Sequence, residues 1–132
     1  MREEKFKVIQ FIRDFLLKID KELENFPKRD IEIKHRIKNS SYDLLELSYE
    51  ANTTQDVEYK KKLLLKMIAQ TKVIDFLLNL SYDKQLITEK KYYKLAQKMD
   101  DIVKYVSGWL KKLNQNSKNS LIIYPKDNSE KN

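Results

Sequence analysis

Glu32 and His35 have the spacing that best fits a metal site, because Glu-x-x-His puts a carboxylate and an imidazole on one face of a helix. Carboxylate-bridged di-iron bundles use this spacing twice, together with two further glutamates that point inward. His35 is the only histidine in the chain, so the second half of such a site is missing. We therefore predict no metal site and no cofactor.

The sequence excludes most other catalytic constellations as well. No cysteine is present, which excludes a thiol nucleophile and an iron–sulfur cluster. Gly108 is the only glycine, whereas a P-loop needs two and a dinucleotide fingerprint needs three. The acidic pairs Glu3-Glu4 and Asp100-Asp101 are adjacent in sequence, and adjacent residues do not face each other on a helix. We expect a protein without catalytic activity of its own.

Lysines are the most prominent cluster of functional groups. The chain carries a formal charge of +7, and residues 1–52 contain 11 basic and 11 acidic residues. Residues 53–132 contain 16 basic and 9 acidic residues, so they hold the whole excess. The lysines that share or border one outward face of the fourth predicted helix are Lys90, Lys94, Lys98, Lys104, Lys111 and Lys112. Such a face is either a solvated surface or a site for the phosphates of RNA or DNA, whose binding is favoured by counterion release.

Long helices must position these residues, because one glycine and two prolines are too few for the turns of a sheet protein. Apolar residues recur at steps of three and four over four segments, which predicts helices over about residues 4–25, 29–52, 55–82 and 88–114. Since the connections are short, consecutive helices should be antiparallel neighbours. The predicted fold is an all-α, antiparallel, up-down four-helix bundle over residues 1–113, followed by a polar, disordered tail over residues 114–132.

The same pattern predicts local details of the bundle. The core-facing seam of the first helix is predicted to be Ile9, Ile12, Leu16, Ile19, Leu23 and Phe26. A threonine should cap each of the last two helices, with Thr53-Thr54 preceding the third and Thr88 preceding the fourth. Trp109 is predicted to be a core or interface anchor.

The third helix differs from the others because it carries two apolar stripes. One stripe consists of Leu64, Met67, Thr71, Ile74 and Leu78, and the other of Leu65, Ala69, Val73, Phe76 and Leu80. A helix in a four-helix bundle needs only one apolar face. The second stripe therefore indicates either a deeply buried helix or an interface with another subunit, and we favour the interface because a small bundle offers little depth.

Membrane attachment and export are not expected. Charged residues interrupt every apolar run before it reaches the length of a membrane span, as in residues 61–66, KKLLLK. The first residues alternate charged and apolar types, unlike a signal peptide. The sequence predicts a cytoplasmic protein without a membrane partner.

Several stretches, taken in their order along the chain, resemble the Avd family, the accessory variability determinants of diversity-generating retroelements. The first half contributes Phe26-Pro27-Lys28, Arg36-Ile37, Asp43-Leu44-Leu45-Glu46 and Ala51. The second half contributes Phe76-Leu77-Leu78-Asn79-Leu80, Asp83, Leu86-Ile87-Thr88 and Ser107-Gly108-Trp109-Leu110-Lys111. The resemblance covers about residues 20–113, and its most specific parts are the early Phe-Pro-Lys and the late Gly-Trp.

The resemblance implies a four-helix subunit of a ring- or barrel-shaped homopentamer with a basic surface. Such a barrel associates with the retroelement reverse transcriptase and with template RNA or complementary DNA, and it supports mutagenic synthesis without catalysing it. The chain differs from the family pattern at Asp75 and Asn79, where members tend to carry arginine, and it keeps another basic position as Lys104. The alternative is a self-assembling structural or adaptor bundle without nucleic-acid affinity, of the type encoded in ribosomal RNA intervening sequences.

Overall fold

Four α-helices account for nearly all of the chain in the computed structural model, which describes the backbone of residues 2–126 and the side chains of residues 5–116. The helices are α1 (Arg2–Leu23), α2 (Ile31–Thr53), α3 (Val57–Asp83) and α4 (Glu89–Lys126), with a 3-10 turn over Lys28–Asp30. No strand occurs in the described residues, so the all-α prediction is confirmed. The helix α4 continues past its predicted end at Asn114. The last part of the predicted tail, residues 127–132, lies outside the described residues, and the boundary at residue 113 stays a prediction.

The helices form a square in which each one packs on two neighbours. The contacting pairs are α1 with α2, α2 with α3, α3 with α4 and α4 with α1, and no diagonal pair meets within the described residues. Lys91 at the start of α4 pairs with Glu22 at the end of α1, with Nζ and Oε1 3.1 Å apart. Opposite ends of these two helices therefore meet. Together with the short connections, this produces the predicted antiparallel, up-down order.

The core of the bundle is continuous from one end to the other. Its fully buried apolar residues include Ile12, Phe15, Ile37, Leu44, Leu64, Met67, Ile74, Leu78, Ile102, Val106 and Trp109. In α1 the buried stripe includes Val8 and Phe15, whereas Ile9 and Leu16, which were predicted to face the core, are only half-buried. The helix is thus rotated slightly from the predicted orientation, because α1 must face both α2 and α4.

Polar side chains close the helix ends. Asp56, rather than a threonine, caps α3, because its Oδ1 accepts a hydrogen bond from the Tyr59 amide at 3.1 Å. Thr54 instead accepts a hydrogen bond from the amide of Asp56 at 3.3 Å. The prediction for Thr88 is confirmed, since its Oγ1 accepts from the Lys91 amide at 3.2 Å. These hydrogen bonds satisfy amides that would otherwise lack a partner in the first turn of each helix.

An ion pair between a buried carboxylate and exposed cations joins the two connections at one end of the bundle. Asp30, which is buried beside the α1–α2 connection, lies 3.1 Å from Nζ of Lys84 just after α3. Arg29 provides a second cation, with its Nε 3.5 Å from the other carboxylate oxygen. A buried carboxylate is tolerated only when cations and hydrogen bonds compensate its lost hydration. The pair therefore holds the connections in the positions from which α4 starts.

Candidate nucleic-acid and subunit interfaces

Five of the six lysines predicted on the fourth helix are exposed on α4, namely Lys90, Lys94, Lys104, Lys111 and Lys112. From Lys90 to Lys112 the helix rises by about 33 Å, so these residues form a line and not a compact cluster. Asp100 and Asp101 interrupt the line near its middle, and Gln97 donates a hydrogen bond to Asp101 at 3.1 Å. The binding of nucleic acid by these lysines stays a prediction.

Lys98 departs from the prediction of an outward position, because it is half-buried. It follows Lys91 by seven residues and precedes Tyr105 by seven residues, and residues two turns apart lie on the same side of a helix. Lys91 pairs with Glu22 of α1, and the Tyr105 ring lies 5.1 Å from the ring of Phe11 in α1. Lys98 therefore belongs to the side of α4 that borders α1.

A basic groove runs between α1 and α4, and its α1 residues were missed by the sequence analysis. A groove of about 510 Å³ is lined by Leu17, Lys18, Lys21, Glu22, Lys91, Lys94 and Leu95. Further along the same pair of helices, Nζ of Lys7 lies 5.2 Å from the centre of the Tyr105 ring, and Nζ of Lys104 lies 5.5 Å from it. We call this surface the α1–α4 seam and define it by Lys7, Lys18, Lys21, Lys91, Lys94, Lys98 and Tyr105.

A charge count along the sequence did not predict the α1–α4 seam, because the first helical hairpin is neutral overall. Lysines of α1 are balanced by acids in a count over residues 1–52. The fold places Lys18 and Lys21 on the side of α1 that meets α4, so they add to the lysines of the second half. The one signal in the sequence is the up-down order itself, which makes α1 and α4 neighbours.

Three tyrosines stack where α3 ends and α4 begins. The rings of Tyr82 and Tyr92 are 5.4 Å apart and nearly parallel, at 10°, and the ring of Tyr93 follows at 5.8 Å and 40°. Asn79 donates a hydrogen bond to the Tyr92 hydroxyl at 3.0 Å. Tyr82 donates one to Glu89 at 3.0 Å, and this bond to a carboxylate raises the pKa of the Tyr82 hydroxyl. The stack ends in Tyr93, whose side chain is 62% exposed.

The helix α3 has one buried and one exposed apolar face. All members of the first predicted stripe are buried, namely Leu64, Met67, Thr71, Ile74 and Leu78. In the second stripe, Leu65 is 55% exposed and Phe76 is 64% exposed. Ala69 and Val73 are also exposed, and Leu80 is half-buried. The alternative of a deeply buried α3 is therefore wrong, and the stripe is the unpartnered apolar surface that a subunit interface requires.

A second exposed apolar surface lies on α1. Phe6 is 62% exposed and Leu17 is 71% exposed, and both line a shallow groove with the half-buried Ile9. The helices α1 and α3 are diagonal partners in the square and do not contact each other in the described residues. Two different apolar surfaces therefore lie on opposite sides of the subunit.

Asp75 lies in a small cavity between α3 and α4. The cavity measures about 130 Å³ and is lined by Thr71, Lys72, Asp75, Met99, Asp100 and Val103. Burial raises the pKa of the Asp75 carboxyl, and the negative charge of Asp100 raises it further, while Lys72 opposes the shift.

Replacement of Asp75 by asparagine should stabilise the protein in a pH-dependent way. Because its pKa is raised on folding, Asp75 lowers the free energy of unfolding at pH values above its folded pKa, and this penalty vanishes below its unfolded pKa. Asp75→Asn should therefore raise the free energy of unfolding at neutral pH and lose this advantage near the ordinary aspartate value of 3.8. Urea unfolding of both proteins across this range measures the difference, and a pH-independent difference would contradict the argument.

Comparison with protein families identifies the chain. A model of the family described as bAvd-like matches residues 4–113, which include the greater part of each of the four helices. The chain belongs to the bAvd-like family. This finding confirms the resemblance to the Avd family drawn from the Phe-Pro-Lys and Gly-Trp motifs. A search of the curated proteins and of the solved structures found no match to the chain.

Asn79 contributes to the packing of α3 on α4 in this bAvd-like protein, because it donates its hydrogen bond to Tyr92. Asp75 has no such role, since its carboxyl lines the cavity beside Asp100. Among the described residues of this bAvd-like chain, no group of three or more His, Cys, Asp or Glu could hold a metal ion. None of the described helices has both the length and the apolar content needed to cross a bilayer.

Proposed function

We propose that this protein is the non-catalytic accessory subunit of a diversity-generating retroelement. In this role it binds the reverse transcriptase together with template RNA or complementary DNA and supports mutagenic synthesis in the cytoplasm. Membership of the bAvd-like family, which is of an accessory, non-catalytic type, supports this role. The observation that carries the nucleic-acid part is the line of exposed lysines on α4.

Assembly into a ring is part of the proposal, and a pentamer is the form we expect. In a ring of identical subunits, each subunit contacts the next one head to tail. Each subunit therefore needs two different surfaces that are complementary to each other. The exposed stripe of α3 and the Phe6 surface of α1 lie on opposite sides of the bundle and can serve as these two surfaces. Repetition of the lysine face around a ring would raise its affinity for a polyanion through multivalency.

Replacement of Lys94 and Lys98 by glutamine should weaken nucleic-acid binding without unfolding the protein. Each neutralised phosphate contributes about 0.9 to the slope of log affinity against log salt on duplex DNA, so loss of two cations should flatten the slope by up to about 1.8. Fluorescence anisotropy with labelled RNA and DNA at several salt concentrations measures both quantities. The matched control is Lys34→Gln with Lys38→Gln, which removes the same charge from α2, the helix that does not contact α4 in the described residues.

Association with the reverse transcriptase is tested separately. Purified full-length protein, mixed with the reverse transcriptase encoded beside it, should form a complex that survives size-exclusion chromatography. If the wild-type protein binds neither the enzyme nor any RNA or DNA at low salt, the lysine face is a solvated surface. The self-assembling adaptor is then the correct function.

A further inference from the structure

We infer that the α1–α4 seam binds single-stranded nucleic acid, with phosphates along its lysines and a base stacked on Tyr93. This inference rests on the proposed nucleic-acid binding and deepens it, because it names the site and the form of the ligand. The inferred site requires α1 as well as α4, whereas the line of exposed lysines lies on α4 alone. It also predicts discrimination between single strands and duplexes.

The charge of the groove at the Lys91 end of the seam is strongly one-sided. Lys18 and Lys21 of α1 line the groove together with Lys91 and Lys94 of α4. Glu22 is the acid that lines the groove, and Lys91 already neutralises it at 3.1 Å. The remaining cations thus lack a matching number of acids in the groove. A polyanion lying there would gain by releasing its condensed counterions.

The dimensions of the seam suit an extended strand. The α4 residues from Lys91 to Tyr105 span about 21 Å along the helix axis, which is enough for several phosphates. The groove of about 510 Å³ lies at the end of the seam near Lys91 and Lys94.

Tyr93 gives the proposed site its preference for single-stranded over duplex nucleic acid. Its ring is 62% exposed and is supported from behind by Tyr92, which is itself stacked on Tyr82. Lys90 is exposed and lies three residues before Tyr93, so the two side chains are neighbours on the surface of α4 and could hold a phosphate and a base together. An unpaired base stacks on such a ring whatever its identity, whereas a duplex keeps its bases stacked inside.

An anionic membrane is the other polyanion that a lysine surface attracts. Interfacial membrane binding needs a broad apolar face next to the cations. Leu17 is the one large, exposed apolar side chain lining the described groove of the seam, and the Phe6 surface to which it also belongs is already assigned to the proposed subunit contact. The seam therefore fits a phosphate chain better than a lipid surface.

The test uses the full chain and a fluorescein-labelled single-stranded RNA of mixed sequence, with the same RNA as a perfect duplex. Lys18→Gln with Lys21→Gln should weaken single-strand binding and reduce the salt slope by about 1.4, while the control Lys34→Gln with Lys38→Gln should not. Tyr93→Ala should weaken single-strand binding by roughly 5-fold or more and leave duplex binding unchanged. Tyr93→Phe should bind like the wild type. Tyr42→Ala on α2, where Tyr42 is 50% exposed, is the matched aromatic control.

The results that would contradict this inference differ from those that would contradict the proposed function on which it rests. If the wild type binds no nucleic acid at all, the nucleic-acid part of the proposed function fails as well. If the wild type binds but the α1 pair behaves like the α2 pair, the seam is wrong and the function stands. Equal loss of duplex and single-strand binding in Tyr93→Ala would overturn the stacking role. Binding to phosphatidylserine vesicles that depends on Lys18 and Lys21, without RNA binding, would assign the seam to a membrane. Circular dichroism confirms that each variant is folded.

Discussion

Trp109→Ala should lower the free energy of unfolding by about 3–5 kcal/mol, the range for removing a buried aromatic side chain. Trp109 is completely buried and is the largest of the fully buried side chains. Its loss would leave a cavity in the part of the core formed by the second half of α4, which surrounding side chains fill only in part. A loss of this size is a large fraction of the stability of a small domain, so part of the population should be unfolded at 37 °C.

Trp109→Phe is the informative companion variant. The indole Nε1 is buried without a hydrogen-bond partner in the structure, and an unpaired buried donor lowers stability. Phenylalanine keeps most of the ring and removes this donor, so it should cost much less than alanine. Urea unfolding followed by far-ultraviolet circular dichroism measures both, at several protein concentrations to account for assembly. Equal losses for the two variants would contradict this prediction, because they would show that the phenyl ring replaces none of the packing of the indole.

Phe76→Lys should break the proposed ring into subunits of 15.9 kDa while the helices remain. Phe76 is 64% exposed within the subunit, so lysine is tolerated there when the subunit is alone. In an interface, the ammonium group would be buried without a partner on the apolar surface of the next subunit, which costs several kcal/mol per contact. Multi-angle light scattering gives the particle mass, and circular dichroism gives the helix content.

Two further variants serve as controls for the interpretation of Phe76→Lys. Tyr42→Lys places the same charge on an exposed aromatic position of α2 and should leave the mass unchanged. Phe6→Lys should dissociate the particle as Phe76→Lys does if the α1 surface is the other half of the contact. A wild-type protein that is monomeric at high concentration would contradict the proposal. An unchanged mass in Phe76→Lys would remove the α3 stripe from the interface.

Local periodicity was sufficient to predict the four helices and both faces of α3. The steps of three and four that place Leu64 and Met67 in the core of α3, and Leu65 and Phe76 on its surface, are properties of one helix and need no knowledge of its neighbours. The scarcity of glycine predicted the all-α class, and the short connections predicted that consecutive helices are antiparallel neighbours. The family followed from the order of short motifs, which is also information along the chain.

Contacts between helices could not be predicted from the periodicity of single helices. The rotation of α4 about its own axis half-buries Lys98, and the closure of α1 on α4 brings Lys18 and Lys21 beside Lys94. The pairing of Asp30 with Lys84 and the unpaired indole of Trp109 depend on the same packing. A charge count adds residues in sequence, whereas the electrostatic potential adds them in space, and a neutral hairpin can present a basic edge to its neighbour. The seam therefore became visible only once four amphipathic helices, each with a predictable face, had packed into one square.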